Sequence, residues 1–152
     1  MLQTDETTKE IVSTLEGLIS ILEDGKLGYT NAAEHVENDL MKANFFDYAR
    51  ERSLFIVELQ DEINRLGKST DESGGGPLGA LHRTWIDIKS TFTGGDTEAI
   101  VNACITGEEA AIEKYKMAIE KDNLHSNEIS ILSKQLSSIE NTLMKIKAHK
   151  MS

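Results

Sequence analysis

Ile129, Leu132, Leu136, Ile139, Leu143 and Ile146 recur at alternating steps of three and four residues. A strand alternates at a period of two, so this segment has one workable conformation: a helix burying a stripe against other helices. Three more registers of this kind precede it. The first runs through Ile11, Leu15, Leu18, Leu22, Gly25, Tyr29, Ala32 and Val36. The second uses Phe45, Ala49, Phe55 or Ile56, Leu59, Ile63 and Leu66, with Arg52 in the gap of the stripe. The third uses Ile100, Cys104, Gly107, Ala111, Tyr115 and Ala118. The chain has one proline and no alternating strand pattern, so the expected fold is an all-α four-helix bundle. At 152 residues it suits a single domain over 1–152.

Local signals set the boundaries. Thr7 and Glu10 have capping-box spacing, which predicts a first helix beginning near Thr7. Gly25 and Gly28 each weaken a helix by roughly 1 kcal/mol. They either break the segment or admit a close neighbour, and the unbroken register favours one long helix. The second helix is expected over 40–66, with Gly67 as its C-terminal cap. Residues 67–77 are rich in Gly, Ser and charge and read as a flexible crossover. Leu78, Leu81, Trp85, Ile88 and Phe92 predict an additional short helix over 78–92, between helices two and three. Asp96 is a candidate cap for a helix over 97–121, and the last helix is expected over 126–148. A faint internal echo superposes Glu23 on Glu109, Tyr29 on Tyr115 and Ala32 on Ala118.

Charge narrows the partners. The 26 acids against 16 basic residues give a formal net charge of −10, which repels phosphate backbones, so no nucleic acid is expected. No segment approaches the ~20 apolar residues of a membrane span. The first residues lack a basic patch followed by an apolar run, so no signal peptide is expected. Cys104 is the single cysteine, which excludes an internal disulfide and fits a cytoplasmic location.

An acid-rich bundle becomes a di-metal centre when Glu-x-x-His motifs on two of its helices add histidines to the inward acids. Here His35, His82, His125 and His149 all lack a glutamate three residues before them. Asp122 and His125 have the spacing but straddle a loop. The metal-ligand candidates are therefore carboxylates alone, Glu23, Glu51 and Glu108, and iron or manganese would suit them. Arg52 is the sharper residue. Either it points inward and pairs with Glu108 or Glu23, or its stem packs while the guanidinium reaches water. Tyr29, Tyr115 and Trp85 are candidate hydrogen-bond donors to such acids, or core anchors. Cys104 lies in a small-residue stripe and reads as an apolar filler. Phe46 and Ile131 fall off their stripes and are candidates for an interface.

Several segments carry a family resemblance: Leu22 to Glu34 (LEDGKLGYTNAAE), Glu51 to Gln60 (ERSLFIVELQ), Gly79 to Trp85 (GALHRTW), Gly94 to Asp96 and Gly107 to Tyr115 (GEEAAIEKY). Together they resemble an uncharacterised bacterial family of the ferritin-like superfamily, distantly similar to rubrerythrin-like proteins. The resemblance implies a ferritin-like four-helix bundle with a domain of unknown function. It also implies that Glu108 stands where a rubrerythrin-like protein binds metal. Two departures follow. Where that pattern places Glu-x-x-His ahead of a phenylalanine, this chain has Tyr48 and Glu51 ahead of Phe55, and the last helix has no counterpart. The expected role is structural or interactive, a stress-associated one included, with no catalytic residues, no cofactor and a homodimer or protein partner. The alternative is an iron- or manganese-binding bundle with redox activity.

Overall fold

The computed structural model describes residues 2–67, 97–121 and 123–151. Four helices make up this part: α1 Leu2–His35, α2 Asp39–Arg65, α3 Thr97–Ile119 and α4 Ser126–Met151. The segment 68–96 lies outside the described residues, and with it most of the expected crossover, the short helix 78–92, Trp85 and Asp96. Asp122 lies outside them as well.

α1 starts at Leu2, not near Thr7. No glycine or proline precedes Thr7, so nothing stops the helix there, and the Thr7–Glu10 spacing does not mark its start. α1 also continues through Gly25 and Gly28 as one helix. At Gly25 an added Cβ would lie 3.9 Å from Cγ and Nη1 of Arg52, an ordinary contact. The glycine faces the arginine without being sterically required. α2 is capped at both ends. Asn38 Oδ1 accepts from the Met41 N–H at 2.9 Å. After Leu66, Gly67 turns the chain at φ 84° and donates its N–H to the Asn64 carbonyl at 2.9 Å.

Cross-helix pairs fix the directions. Asn123 reaches Glu10 and Lys121 reaches Thr14, while Tyr29 and Cys104 share the opposite half, so α1 and α3 are antiparallel. Asn44 meets His149 and Asn127 meets Glu62, so α2 and α4 are antiparallel. α3 and α4 form a hairpin, joined across it by Tyr115 and Gln135. α2 and α3 therefore run parallel, and Gly67 and Thr97 lie at opposite ends of the bundle. This is the topology of a bundle with one long crossover.

The core divides into two apolar clusters. One gathers Leu15, Leu22, Phe55, Leu59, Tyr115 and Leu132. The other gathers Tyr29, Phe45, Ala49, Ile100, Cys104 and Ile146. Each helix crosses from one cluster to the other, and at that level each interrupts its apolar register. The interrupting residues are Gly25 on α1, Arg52 on α2, Glu108 on α3 and Thr142 on α4. The bundle thus carries a polar layer across its middle.

α4 also faces inward with a different edge from the one its apolar residues suggest. Its buried stripe is Glu128, Leu132, Gln135, Ile139, Thr142 and Ile146. Leu136 and Leu143 are only partly buried. Polar residues at seven-residue spacing therefore alternate with aliphatic ones along a seam expected to be wholly aliphatic. Across from it α2 presents Glu51, Glu58 and Glu62, and α4 meets two of these acids with donors, Gln135 at Glu58 and Asn127 at Glu62. Ile131, an interface candidate on sequence grounds, packs against the cluster that holds Leu15, Leu59 and Leu132 instead.

Candidate functional site

The polar layer is built around Arg52. Nη1 donates to Glu108 Oε1 at 2.8 Å and Nη2 to Oε2 at 2.6 Å, a parallel two-bond fork. Both side chains are 1% exposed. The snorkelling alternative does not occur, because the guanidinium ends inside the bundle. Burial alone pulls the Arg52 pKa down, but the Glu108 carboxylate overrides it and holds the guanidinium above its ordinary value. The arginine therefore stays charged at every physiological pH.

Aromatic rings close the layer. The Arg52 guanidinium carbon lies 5.5 Å from the centroid of the fully buried Tyr29 ring, within cation–π range. Tyr29 packs edge-on to Tyr48 at 5.4 Å and tilted against Phe45 at 5.9 Å. Burial first, and the Glu108 charge second, push the Tyr29 hydroxyl well above its usual pKa, so it stays protonated and interacts with Glu108. Tyr115 lies on the other side of the layer. Its hydroxyl donates to Gln135 Oε1 at 2.7 Å, and burial raises its pKa too. Gln135 Nε2 in turn donates to Glu58 Oε1 at 2.9 Å and to the Phe55 carbonyl at 3.3 Å. Cys104 is fully buried, and its thiol is pushed up by burial and then by Glu108, so it is a poor nucleophile.

The three acids proposed as metal ligands occupy different settings. Glu108 has both oxygens on Arg52. Glu51 is half-buried beside the pair and feels both Arg52 and Glu108, with burial raising its pKa most. Its Oε1 and Arg52 Nε are buried without hydrogen-bond partners among the described residues. Glu23 is exposed on α1. Among the described residues, no three His, Cys, Asp or Glu side chains converge in a way that could hold a metal. Both oxygens of the central acid are thus taken up by a cation of the chain itself.

A second ionic cluster sits at the end of the bundle where α2 finishes. Arg65 Nε and Nη2 donate to Glu62 Oε1 and Oε2 at 2.9 and 2.6 Å, and Nη2 also reaches Glu128 Oε2 at 3.2 Å. Asn127 Nδ2 donates to Glu62 at 3.0 Å, and the His125 backbone N–H donates to Glu128 Oε1 at 3.0 Å. The two carboxyls share this environment unequally. Arg65, as hydrogen-bond donor, brings Glu62 down to about 2. Burial, then the neighbouring Glu62, pushes Glu128 up. Sequence reasoning missed this cluster. Its signal was Arg65 three residues after Glu62, and Glu128 three after His125, at ends of helices that an antiparallel pairing brings together.

On the far side of the polar layer from this cluster, α2 and α4 part to leave an open groove of about 540 Å³ lined in part by Asn44, Tyr48, Glu51, Thr142, Lys145 and His149. Its floor reaches the edge of the polar layer at Glu51. Residues 10–121 match the model of a family described as a domain of unknown function, DUF2383. The chain belongs to this family. The matched span contains α2 and α3 whole, with Arg52 and Glu108, and most of α1; it ends before α4. The DUF2383 segment thus holds the central ion pair, while Gln135 and Glu128 come from outside it. Comparison with curated proteins gives no match. No helix of the described residues is long and apolar enough to cross a membrane.

Proposed function

We propose that this DUF2383 bundle is a soluble, cytoplasmic, ferritin-like protein with a non-catalytic structural or interaction role. One observation carries the reading: the central acid of the bundle, Glu108, is neutralised by the chain's own Arg52. A guanidinium stands where a metalloprotein of this topology would need a free carboxylate. Tyr29, Tyr115 and Cys104 around it are all held in their neutral forms, so none of the three is an activated nucleophile or base. The parallel second and third helices support the ferritin-like assignment. The excess of acids supports partners other than nucleic acid.

A second reading is kept because of Glu51. Its buried, unpartnered Oε1 beside Glu108 is the feature from which an iron or manganese site with redox activity would be built, with Glu23 as the third acid. Elemental analysis of protein purified without chelator separates the two. The first reading expects iron and manganese far below one per chain, with no change in Glu108→Ala. Stoichiometric metal that disappears in Glu108→Ala overturns it in favour of the second.

A further inference from the structure

The outer face of α2 carries an apolar stripe that the bundle does not use. Leu40, Phe46, Leu54 and Val57 are 67%, 41%, 61% and 51% exposed. Four of the seven large exposed hydrophobic residues among the described residues lie on this one helix, so the exposure is concentrated rather than scattered. Their spacing is regular. Leu40, Ala43, Asp47, Arg50, Leu54 and Val57 follow steps of three and four, the spacing of a coiled-coil seam. Asp47 and Arg50, at the centre, are 64% and 76% exposed and sit 3.7 Å apart.

We infer that this stripe is the contact surface of a homodimer in which α2 of one copy packs antiparallel on α2 of another. The order of residues along the stripe selects both the occupant and the orientation. It reads apolar, apolar, acid, base, apolar, apolar. Reversing it on a two-fold axis midway between Asp47 and Arg50 sets Leu40 against the partner's Val57 and Ala43 against the partner's Leu54. The same operation sets Asp47 against the partner's Arg50, twice. Every position meets its complement, as an isologous contact requires. A parallel, in-register pairing would place Arg50 on the partner's Arg50 and Asp47 on the partner's Asp47. Charged residues at seam positions discriminate between such arrangements at some cost in affinity. Phe46 flanks the seam and covers its edge.

The inference deepens the interaction role proposed above by naming the partner, a second copy of this chain. Sedimentation velocity over a concentration series tests it. The wild type is expected to sediment at twice the 16.8 kDa chain mass at high concentration. Asp47→Arg alone and Arg50→Asp alone each set like charges across the axis and are expected to weaken dimerisation at least tenfold. The double variant Asp47→Arg/Arg50→Asp restores opposite charges and is expected to dimerise again. Both substituted positions are exposed, and circular dichroism of each of the three variants checks that its helices persist. A wild type that is monomeric throughout, or a dimer unmoved by the single reversals, overturns the inference. Neither result alters the metal content, on which the proposed function stands or falls separately.

Discussion

The two ionic clusters use the same residue types to opposite ends. At the middle of the bundle one arginine meets one glutamate, both sealed from water and joined by two hydrogen bonds. At the end of the bundle one arginine, 55% exposed, serves two buried glutamates. The first site sets one acid against one fixed cation, and Arg52 stays charged. The second has one acid too many, so its charge depends on pH. The difference teaches that burial alone does not set the state of a carboxylate: Glu62 and Glu128 share one environment and are shifted in opposite directions. What decides is whether the chain supplies a cation for each acid that it buries.

The largest expected effect comes from unbalancing the balanced site. Arg52→Met leaves Glu108 buried without its cation and is expected to cost roughly 3–5 kcal/mol in denaturant unfolding. An unchanged unfolding midpoint would show that the layer does not carry buried charge. A smaller loss is expected where the partners are neutral. Tyr115→Phe removes the donor to the buried Gln135 carbonyl and should cost about 1–3 kcal/mol, the penalty of one unsatisfied buried acceptor. If that loss equals the loss at Arg52, charge adds nothing to the central layer.

The end cluster should show its difference as pH dependence. Glu62 is depressed to about 2, so its contribution is present above its ordinary 4.5 and is lost as pH falls toward 2. Glu128 is raised, so folding favours its protonated form, and stability is lost as pH rises from 4.5 through its elevated value. The two slopes oppose each other, and the cluster is most stabilising near the ordinary carboxylate value of 4.5. Glu128→Gln mimics the protonated acid, keeping an acceptor for the His125 N–H and a donor toward Glu62. It is expected to raise the neutral-pH melting temperature modestly and to flatten the alkaline limb of a melting-temperature profile. A lower melting temperature at neutral pH would mean that Glu128 is a stabilising anion there, against this account.

Much of the fold is legible in the sequence because four stripes of period 3.6 leave little else to build. The start of α1 is less so, since Thr7–Glu10 has capping spacing but nothing before it halts a helix. The rotation of α4 is illegible for a different reason. Its apolar residues alone select Leu136 and Leu143, whereas the helix turns Gln135 and Thr142 inward to meet the acidic edge of α2. Hydrogen-bond complementarity between two helices outweighs the apolar count of one. Arg52 stands out in the sequence as a cation in the gap of an apolar stripe. Which acid it meets is a three-dimensional fact: Glu108 faces the core on α3, whereas Glu23 points to solvent on α1. The end cluster becomes visible only once α2 and α4 are known to be antiparallel.

A double-mutant cycle on the central pair tests the account most directly. Arg52→Met, Glu108→Leu and the combined variant are compared with the wild type by denaturant unfolding. Each single change leaves one buried charge alone and is expected to be strongly destabilising. The combined change leaves none, so it is expected to lose far less than the two single losses together, and to approach or exceed wild-type stability. Losses that simply add would show two independent side chains, and would contradict a bundle whose central acid is neutralised by its own arginine.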